Sequence, residues 1–534
     1  MSEPSCEKAA PARSGGAEKL AEGGPARPEA SVSARFGTDG IRGIAGRELT
    51  ARTAFALGCA LCRLYPSPRV VVGQDTRTSS DMLAHALAAG VAAGGGQAIL
   101  GGVLPSAAVS FFVLKEKAAC GVVVSASHNP PAYNGLKVFG GGGAKLSEGD
   151  ERRLERMMLS PVCAPPPAMG AVRRLQKKGA YLARLASLAP CALAGKTFVI
   201  DCANGAARSF APRLFRRLGA RVFAVGCGAG KNINCACGAL HPQRLCAEVQ
   251  RRGADAGFAY DGDADRLIAC DERGEVIDGD GILYALACAA KAEGKLPRGL
   301  VVGTAYTNAG AERALAARGI RLLRAPVGDK FVAARMRESG ASLGGEQSGH
   351  ILPACSPAGD GILASLFLAA LLRRGSLSAL CALSRLAQVH LGVRLPPSAC
   401  GASVRCTYGT EGRGRGQGAP PSSFPNNNRE EGEGAAEEPS LNIKEGEGAA
   451  EEPSQTKTAE AVADIEAETA ETFADIEAEA AEAFADIEAK TGARLVVRPS
   501  GTEPVVRVFA EAESEAAARL AAEEAAREVL LRLQ

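Results

Sequence analysis

The stretch Gly121-Val122-Val123-Val124-Ser125-Ala126-Ser127-His128-Asn129-Pro130-Pro131, continuing to Lys137, Val138 and Phe139, decides the fold. The run Gly121–Val124 is a short apolar segment of the kind that forms a strand inside a parallel sheet. The double proline that follows stops any helix and stiffens a loop. Ser127 is therefore expected on a rigid loop just past a strand end, where open α/β sheets place their chemistry. Neighbouring side chains on an extended chain point apart, so His128 is not expected to pair with Ser127 as a hydrolase base. Lys137 follows an expected Asn134-Gly135 turn and can bring a cation back towards the loop.

Upstream, Phe36-Gly37-Thr38-Asp39-Gly40-Ile41-Arg42-Gly43 reads as a glycine-punctuated turn carrying one arginine. Helix at about 50–64, strand Arg69–Val72, helix at about 79–94, strand near Ala98–Leu100 and helix at about 106–117 lead into the serine strand. This β-then-α alternation predicts a parallel, doubly wound sheet. The pattern restarts at Thr197–Asp201, with a helix at about 206–218, and again at Leu300–Val302, with a helix at about 308–318. Three α/β units of similar size result, with boundaries near 178, 278 and 390. No residue-level identity links them, so any repeat is structural only.

Residues 407–460 are of low complexity, and EGEGAAEEPS occurs twice, at 431–440 and 445–454. ADIEA then recurs at 463, 474 and 485, an eleven-residue period that predicts one long helix over about 456–490. Its apolar stripe is Ile465, Phe473, Ile476, Phe484 and Ile487. That stripe can lie on the C-terminal sheet, pair with a second copy in a homo-oligomer, or bind a partner helix. The last segment reads as strand, glycine turn and strand over Arg494–Ala510, then a helix at about 513–533.

Composition narrows the function classes. No apolar run is long enough to span a membrane. Residues 1–33 lack the apolar core of a signal peptide and read as a disordered extension. The 17 cysteines are scattered and show no zinc spacing, which fits reduced thiols. Residues 429–490 carry 20 acidic against 4 basic residues; outside them stand 58 basic and 39 acidic, a body suited to an anionic ligand. With 4% aromatics and no Trp, nucleic acid is not an expected partner.

Three further motifs carry chemistry. In Asp261-Gly262-Asp263-Ala264-Asp265-Arg266 the carboxylates alternate, so they can converge on one hard cation such as Mg²⁺. An EF-hand is excluded, because Arg266 stands where that loop needs glycine and the flanks read as strands. In Gly344-Gly345-Glu346-Gln347-Ser348-Gly349-His350, glycines bracket groups able to bond sugar hydroxyls. Arg498-Pro499-Ser500-Gly501-Thr502-Glu503-Pro504, with Arg507 beyond, offers hydroxyls, backbone N–H groups and two guanidiniums to a phosphate. Together they indicate phosphoryl transfer on a phosphorylated sugar, and the absence of P-loop and kinase signatures means no nucleotide is needed.

With FGTDGIRG at 36–43, SASHNP at 125–130, DGDADR at 261–266, GEQSGH at 345–350 and RPSGTEP at 498–504, the chain resembles the α-D-phosphohexomutases, and among them the bacterial phosphoglucosamine mutases. The resemblance spans about 34–405 and 488–534. Gln347 favours the glucosamine branch; the phosphomannomutase/phosphoglucomutase relatives usually carry Met there and are the alternative. The resemblance implies three similar α/β domains and a smaller C-terminal α+β domain around a central cleft: 34–178, 179–277, 278–390 and 391–534, the last interrupted by the insert at about 407–487. It implies a phosphoserine at Ser127 and one Mg²⁺ on Asp261, Asp263, Asp265 and a phosphoserine oxygen. Arg42, His128 and Lys137 would surround the phosphoryl group, Lys137 as a candidate acid/base, with Arg266 reaching the phosphate. Glu346 and Ser348 would bind sugar hydroxyls, and His350 would assist proton transfer. Arg498, Ser500, Gly501, Thr502 and Arg507 would hold the phosphate that is not reacting. The implied reaction interconverts glucosamine 6-phosphate and glucosamine 1-phosphate through a 1,6-bisphosphate. It would take place in the bacterial cytoplasm, on the route to UDP-N-acetylglucosamine.

Overall fold

The computed structural model describes residues 35–37, 39–159, 168–394, 480–499 and 505–532. The expected disordered extension, the low-complexity run, most of the expected 456–490 helix and the expected glycine turn, at 500–504, lie outside the described residues. The described chain divides into two compact units, one within Met1–Val276 plus Cys355–Ala370, the other within Ile277–Ala354 plus Leu371–Gln534. Among the described residues no helix is long and apolar enough to cross a membrane.

The first sheet is built from β1 (Ile41–Ile44), β2 (Arg69–Gln74), β3 (Gln97–Val103), β4 (Cys120–Val124), β5 (Tyr133–Gly140) and β6 (Ala171–Arg174), in the order β1-β5-β4-β2-β3-β6. Its helices are α1 (Ala51–Leu64), α2 (Ser80–Ala93), α3 (Ser106–Lys115) and α4 (Glu148–Leu159). The strands alternate in the faces they present. Val70, Val72, Val122 and Val124 join Leu57, Leu61, Leu83 and Leu87 of α1 and α2 in one core cluster. Gly73 and Gly121 lie instead against Val109 of α3. Thr50 caps α1 in a reciprocal pair with Thr53.

The second sheet follows α5 (Gly179–Leu188). It contains β7 (Thr197–Asp201), β8 (Arg221–Val225), β9 (Ala256–Tyr260), β10 (Leu267–Cys270) and the short β11 (Val276–Ile277), in the order β11-β10-β9-β7-β8. The helix expected at 206–218 is split into a 3-10 turn at Ala206–Ser209 and α6 (Ala211–Arg217), with Pro212 in the first turn of α6. Helix α7 (Gln243–Arg252) connects β8 to β9. After α8 (Gly279–Ala292), the third sheet holds β12 (Leu300–Thr304), β13 (Arg321–Ala325), β14 (Leu343–Gly345) and β15 (Ile351–Pro353), in the order β13-β12-β14-β15. Helices α9 (Ala309–Ala317) and α10 (Asp329–Ser339) belong to it, and α11 (Gly361–Leu371) and α12 (Leu377–Leu380) follow.

These sheets are mixed: beside the parallel strands expected from the β–α alternation, each gains an antiparallel neighbour. In each, one parallel strand turns back into an antiparallel neighbour: β4 into β5, β9 into β10, and β14 into β15. The three motif loops are the connections of these three pairs. A short return is possible only between antiparallel strands, since a parallel pair needs a long crossover. Each motif therefore sits at the carboxyl end of a strand with its backbone pinned on both sides. Asn134-Gly135 is not a turn but the interior of β5, paired with Arg42 and Gly43 of β1.

The C-terminal sheet is antiparallel, ordered β16 (Ala387–Arg394), β18 (Val505–Ala512), β17 (Arg494–Pro499), with α13 over 480–491 and α14 (Glu515–Arg532). Strand β16 pairs with β18 from Ala387 to Arg394, a run that crosses the boundary expected at 390. The C-terminal end of the expected insert packs in this domain. Ile487 is buried in the C-terminal core with Val506, Val508 and Ala522, and Phe484 packs on the same cluster. Ile487→Ala should therefore cost about 2–4 kcal/mol of unfolding free energy in denaturant titration, with kcat unchanged.

Candidate active site

Ser127 leaves β4 in the left-handed region, at φ +52°. A non-glycine residue held there costs roughly 1–3 kcal/mol, which surrounding contacts must offset. They are visible: Ser127 N donates to Ser125 Oγ at 2.9 Å, and its carbonyl accepts from Arg77 Nη2 at 3.0 Å and Asn234 Nδ2 at 2.8 Å. The turn sends Ser127 Oγ to Asp261 Oδ2, which accepts its hydrogen bond. It also brings Ser127 Oγ within 3.3 Å of His128 Nδ1. The expectation that the two side chains point apart assumed an extended chain and is corrected by the positive φ.

Asp261, Asp263 and Asp265 lie on the β9–β10 loop, all buried, with one ligand atom of each within 4.8 Å of the others. Ala264 between them is also left-handed, at φ +60°, and this is how alternate residues of a short loop come to share one side. Gly262 is required by close approach, since a Cβ there would lie 2.6 Å from the Ser127 carbonyl oxygen. Neighbouring elements fix the loop. Ala206 N donates to Gly262 O at 2.8 Å, Gly361 N at the start of α11 donates to Ala264 O at 3.1 Å, and Arg266 N donates to Asp261 Oδ1 at 3.2 Å. Ser106 at the first turn of α3 donates through Oγ to Asp263 Oδ2 at 2.6 Å and through N to Asp263 O at 2.9 Å; a helix N-terminus there favours negative charge.

Lys137 rises from β5 into this group. Its Nζ lies 2.8 Å from Asp263 Oδ2, 2.9 Å from Asp265 Oδ2 and 2.9 Å from Asp39 Oδ2. Asp39 also pairs with Lys145 at 2.5 Å and with Arg42, whose Nη1 donates to Asn129 Oδ1 at 3.0 Å. Burial would lower the Lys137 ammonium, but Asp263, Asp265 and Asp39 outweigh it and hold it well above its usual range. Burial would likewise raise Asp39, but Lys137, Lys145 and Arg42 hold it well below. Asp261 is pushed up to about 8, by burial first and then by Asp265 and Asp263. His128 is pushed down to about 2, by burial and then by Arg266 and Arg42, so the imidazole is neutral.

Three buried carboxylates repelling one another suit a divalent cation with oxygen ligands. Asp263 Oδ1, fully buried, finds no hydrogen-bond donor among the described residues. That acceptor and the oxygen-only donor set fit a hard metal ion.

In the other unit, the β14–β15 loop carries Glu346 and His350. Glu346 Oε1 accepts from Gly328 N at 2.9 Å, and Oε2 lies 3.2 Å from His350 Nδ1, both side chains being buried. Gln347 is committed elsewhere. Its Nε2 donates to Gln388 Oε1 at 2.8 Å, and Gln388 Nε2 donates to Glu511 Oε1 at 2.7 Å. Arg498 and Arg507 stand directly opposite each other on β17 and β18. Like charges facing across a strand pair are unfavourable unless an anion lies between them. His390 beside them is lowered by burial and by Arg507 and Arg498. Arg498 also donates to Tyr306 OH at 2.9 Å. Ser500, Gly501 and Thr502 lie outside the described residues, and Ser348 turns in the loop between Glu346 and His350.

The first unit thus gathers Ser127, His128, Lys137, Arg42, Asp261, Asp263, Asp265 and Arg266, and the second gathers Glu346, Ser348 and His350 on one loop and Arg498 and Arg507 on one strand pair. Sequence reasoning passed over Asp39, Arg77, Ser106 and Asn234. Asp39 was legible inside the 36–43 motif as its one carboxylate; the others gave no local signal.

Four family models match, in order: phosphoglucomutase/phosphomannomutase alpha/beta/alpha domain I at residues 33–161, domain II at 180–274, domain III at 278–386, and the C-terminal domain at 454–528. The phosphoglucosamine mutase of Heliobacterium modesticaldum is 43% identical over 395 residues, 68% of this chain and 86% of that protein. That of Moorella thermoacetica is 45% identical over 374 residues, 67% and 84% of the two chains. Among solved structures, a phosphoglucomutase/phosphomannomutase family protein from Burkholderia thailandensis superimposes with a TM-score of 0.68 at 22% identity, covering 94% of this chain and 98% of that one. An Aspergillus fumigatus N-acetylphosphoglucosamine mutase, solved with GlcNAc-6P and magnesium, gives 0.51 at 18% identity over 80% and 93%.

Proposed function

The chain belongs to the phosphoglucomutase/phosphomannomutase family, and from that premise we propose that it is a phosphoglucosamine mutase, an isomerase carrying its phosphoryl group on Ser127. The observation that carries this reading is the hydrogen bond from Ser127 Oγ to Asp261, which makes the acceptor hydroxyl and the carboxylate triad one site. Phosphoserine 127 gives its phosphoryl to the O1 hydroxyl of glucosamine 6-phosphate. The Ser127 O–P bond breaks, the O1–P bond forms, and the O1 proton passes through an acid/base side chain to Ser127 Oγ, restoring the hydroxyl. The 1,6-bisphosphate turns over, the Ser127 hydroxyl takes the phosphoryl from O6, and O6 gains the proton as glucosamine 1-phosphate departs.

Asp261, Asp263 and Asp265 would hold Mg²⁺, with a phosphoserine oxygen as a further ligand. When bound, that ion supplies Lewis-acid charge to the phosphoryl oxygens. Arg42 and Arg266 bring fixed positive charge, and neutral His128 hydrogen-bonds the serine oxygen. Lys137 serves as acid/base, a role that requires neutralisation of the carboxylates now raising it. Glu346 and Ser348 read sugar hydroxyls, His350 assists proton transfer, and Arg498, Ser500, Gly501, Thr502 and Arg507 hold the second phosphate. The division into 34–178, 179–277, 278–386 and 387–534 belongs to this reading, as do a cytoplasmic location and a product destined for UDP-N-acetylglucosamine. The test is an assay with glucosamine, glucose and mannose 6-phosphates side by side. The highest kcat/KM is expected for glucosamine 6-phosphate; preference for either hydroxyl sugar would place the chain with the phosphomannomutase/phosphoglucomutase branch.

A further inference from the structure

The carbonyl of Ser127 is held more tightly than anything in the reaction itself demands. Arg77 Nη2 and Asn234 Nδ2 both donate to it, and the Gly262 backbone closes against it. The same two side chains donate to Asn129 O, at 2.8 and 3.0 Å. Arg77 Nη1 adds Tyr133 O at 2.9 Å and Pro130 O. One guanidinium thus binds four carbonyls of the 127–133 loop, using the fixed fork of donors that only arginine presents. Its remaining donor, Nε, lies 2.8 Å from Asp75 Oδ2, in an ion pair with no side-chain exposure on either partner. Asp75 in turn accepts from Ser80 Oγ at 2.8 Å and Ser125 Oγ at 2.6 Å, and Ser125 Oγ is the acceptor for Ser127 N. Apart from the turn's own bond from Asn129 N to Ala126 O, at 3.0 Å, the hydrogen bonds on the Ser127 backbone lead back to Asp75 and Arg77 or to Asn234.

Building on the phosphoserine reading above, we infer that Arg77, braced by Asp75, and Asn234 are positioning residues of the transfer step: they fix Ser127 in the left-handed conformation that aims its Oγ at Asp261. Neither touches the sugar or the reacting atoms in this reading. Asn234 comes from the loop after β8, in the segment that also carries the triad. It therefore ties the serine loop to the triad's own neighbourhood, and the distance from Oγ to the carboxylates is set by both donors together. A serine released from this turn relaxes to the extended conformation and carries Oγ away from Asp261. Displacements of about 1 Å in a reacting group cost on the order of 100-fold in rate.

Arg77→Lys keeps the charge beside Asp75 but cannot bridge four carbonyls. It should lower kcat about 30- to 100-fold, with KM for glucosamine 6-phosphate and the Mg²⁺ concentration for half activation within threefold of wild type. Asn234→Ala leaves no buried charge unpaired and should lower kcat roughly 10-fold in the same pattern. The single-turnover rate of phosphoryl transfer from the phosphorylated enzyme should fall in parallel with kcat in both. A merely structural role would lower the melting temperature and the active fraction but leave the rate per phosphorylated molecule unchanged, and that result overturns the inference. So does wild-type kcat in a folded variant; should Arg77→Lys not fold, Asn234→Ala decides alone. Ser127→Ala is the control: inactivity there with unaffected positioning variants sinks this inference and leaves the phosphoserine reading standing, whereas turnover by Ser127→Ala overturns both.

Discussion

Ser127→Ala is expected to abolish mutase turnover, by at least about 10⁴-fold, because no second hydroxyl replaces the acceptor. The loop offers Ser125 two residues away, but its Oγ donates to Asp75 and accepts from Ser127 N, and the residue is fully buried. It cannot turn to the triad without breaking both bonds. The alanine variant should keep its fold. The bonds that hold the loop run through the Ser127 backbone, from Arg77 and Asn234 to its carbonyl and from its N–H to Ser125 Oγ, and the substitution leaves them in place. Binding of glucosamine 6-phosphate, measured by calorimetry, should therefore survive where turnover does not. Turnover by Ser127→Ala within tenfold of wild type would mean that the phosphoryl group travels by another route.

Chelation of divalent metal is expected to have the next largest effect, and Asp263→Asn to mimic it. Asp263 is the best test of the triad because its Oδ1 has no donor among the described residues, whereas its Oδ2 is already engaged by Ser106 and Lys137. The amide is isosteric and places a donor or a neutral oxygen where a hard cation needs charge. Activity should fall about 10²- to 10⁴-fold, and the Mg²⁺ concentration needed for half activation should rise. A second readout needs no substrate. Ligand binding to the folded state alone stabilises it by roughly 2.7 kcal/mol at a hundred times the dissociation constant. Wild-type protein should thus melt at higher temperature with Mg²⁺ than with chelator, and Asp263→Asn should show little of that rise. Equal melting shifts in both proteins would remove the triad from metal binding.

How much of this was legible depends on how local each feature is. The three motif loops could be placed at strand ends because their glycines, prolines and carboxylates are contiguous and interrupt short apolar runs such as Gly121–Val124. The β–α alternation was legible for the same reason. What escaped is what long-range bonds decide. The strand Tyr133–Gly140 contains Asn-Gly, a local turn signal, yet pairing with β1 and β4 keeps it extended. Ser127 reads as an ordinary loop residue. Its positive φ, and with it the approach to His128 and Asp261, is imposed by Arg77 some 50 positions earlier and Asn234 some 107 positions later. Gln347 looked like a sugar-reading side chain because of its neighbours, and is instead bonded to Gln388, 41 positions away. The eleven-residue repeat did predict helix at its C-terminal end, where Phe484 and Ile487 reach the core.

The most direct test of the account is a single-turnover experiment. Enzyme carrying a labelled phosphoryl group, confirmed by peptide mapping to the segment containing Ser127, is mixed with unlabelled glucosamine 6-phosphate in the presence of Mg²⁺. The account predicts that label leaves Ser127 at a rate no slower than kcat, and that it is found first in the 1,6-bisphosphate and then in glucosamine 1-phosphate. Label that stays on the protein while isomer forms, or that leaves only as inorganic phosphate, would contradict it.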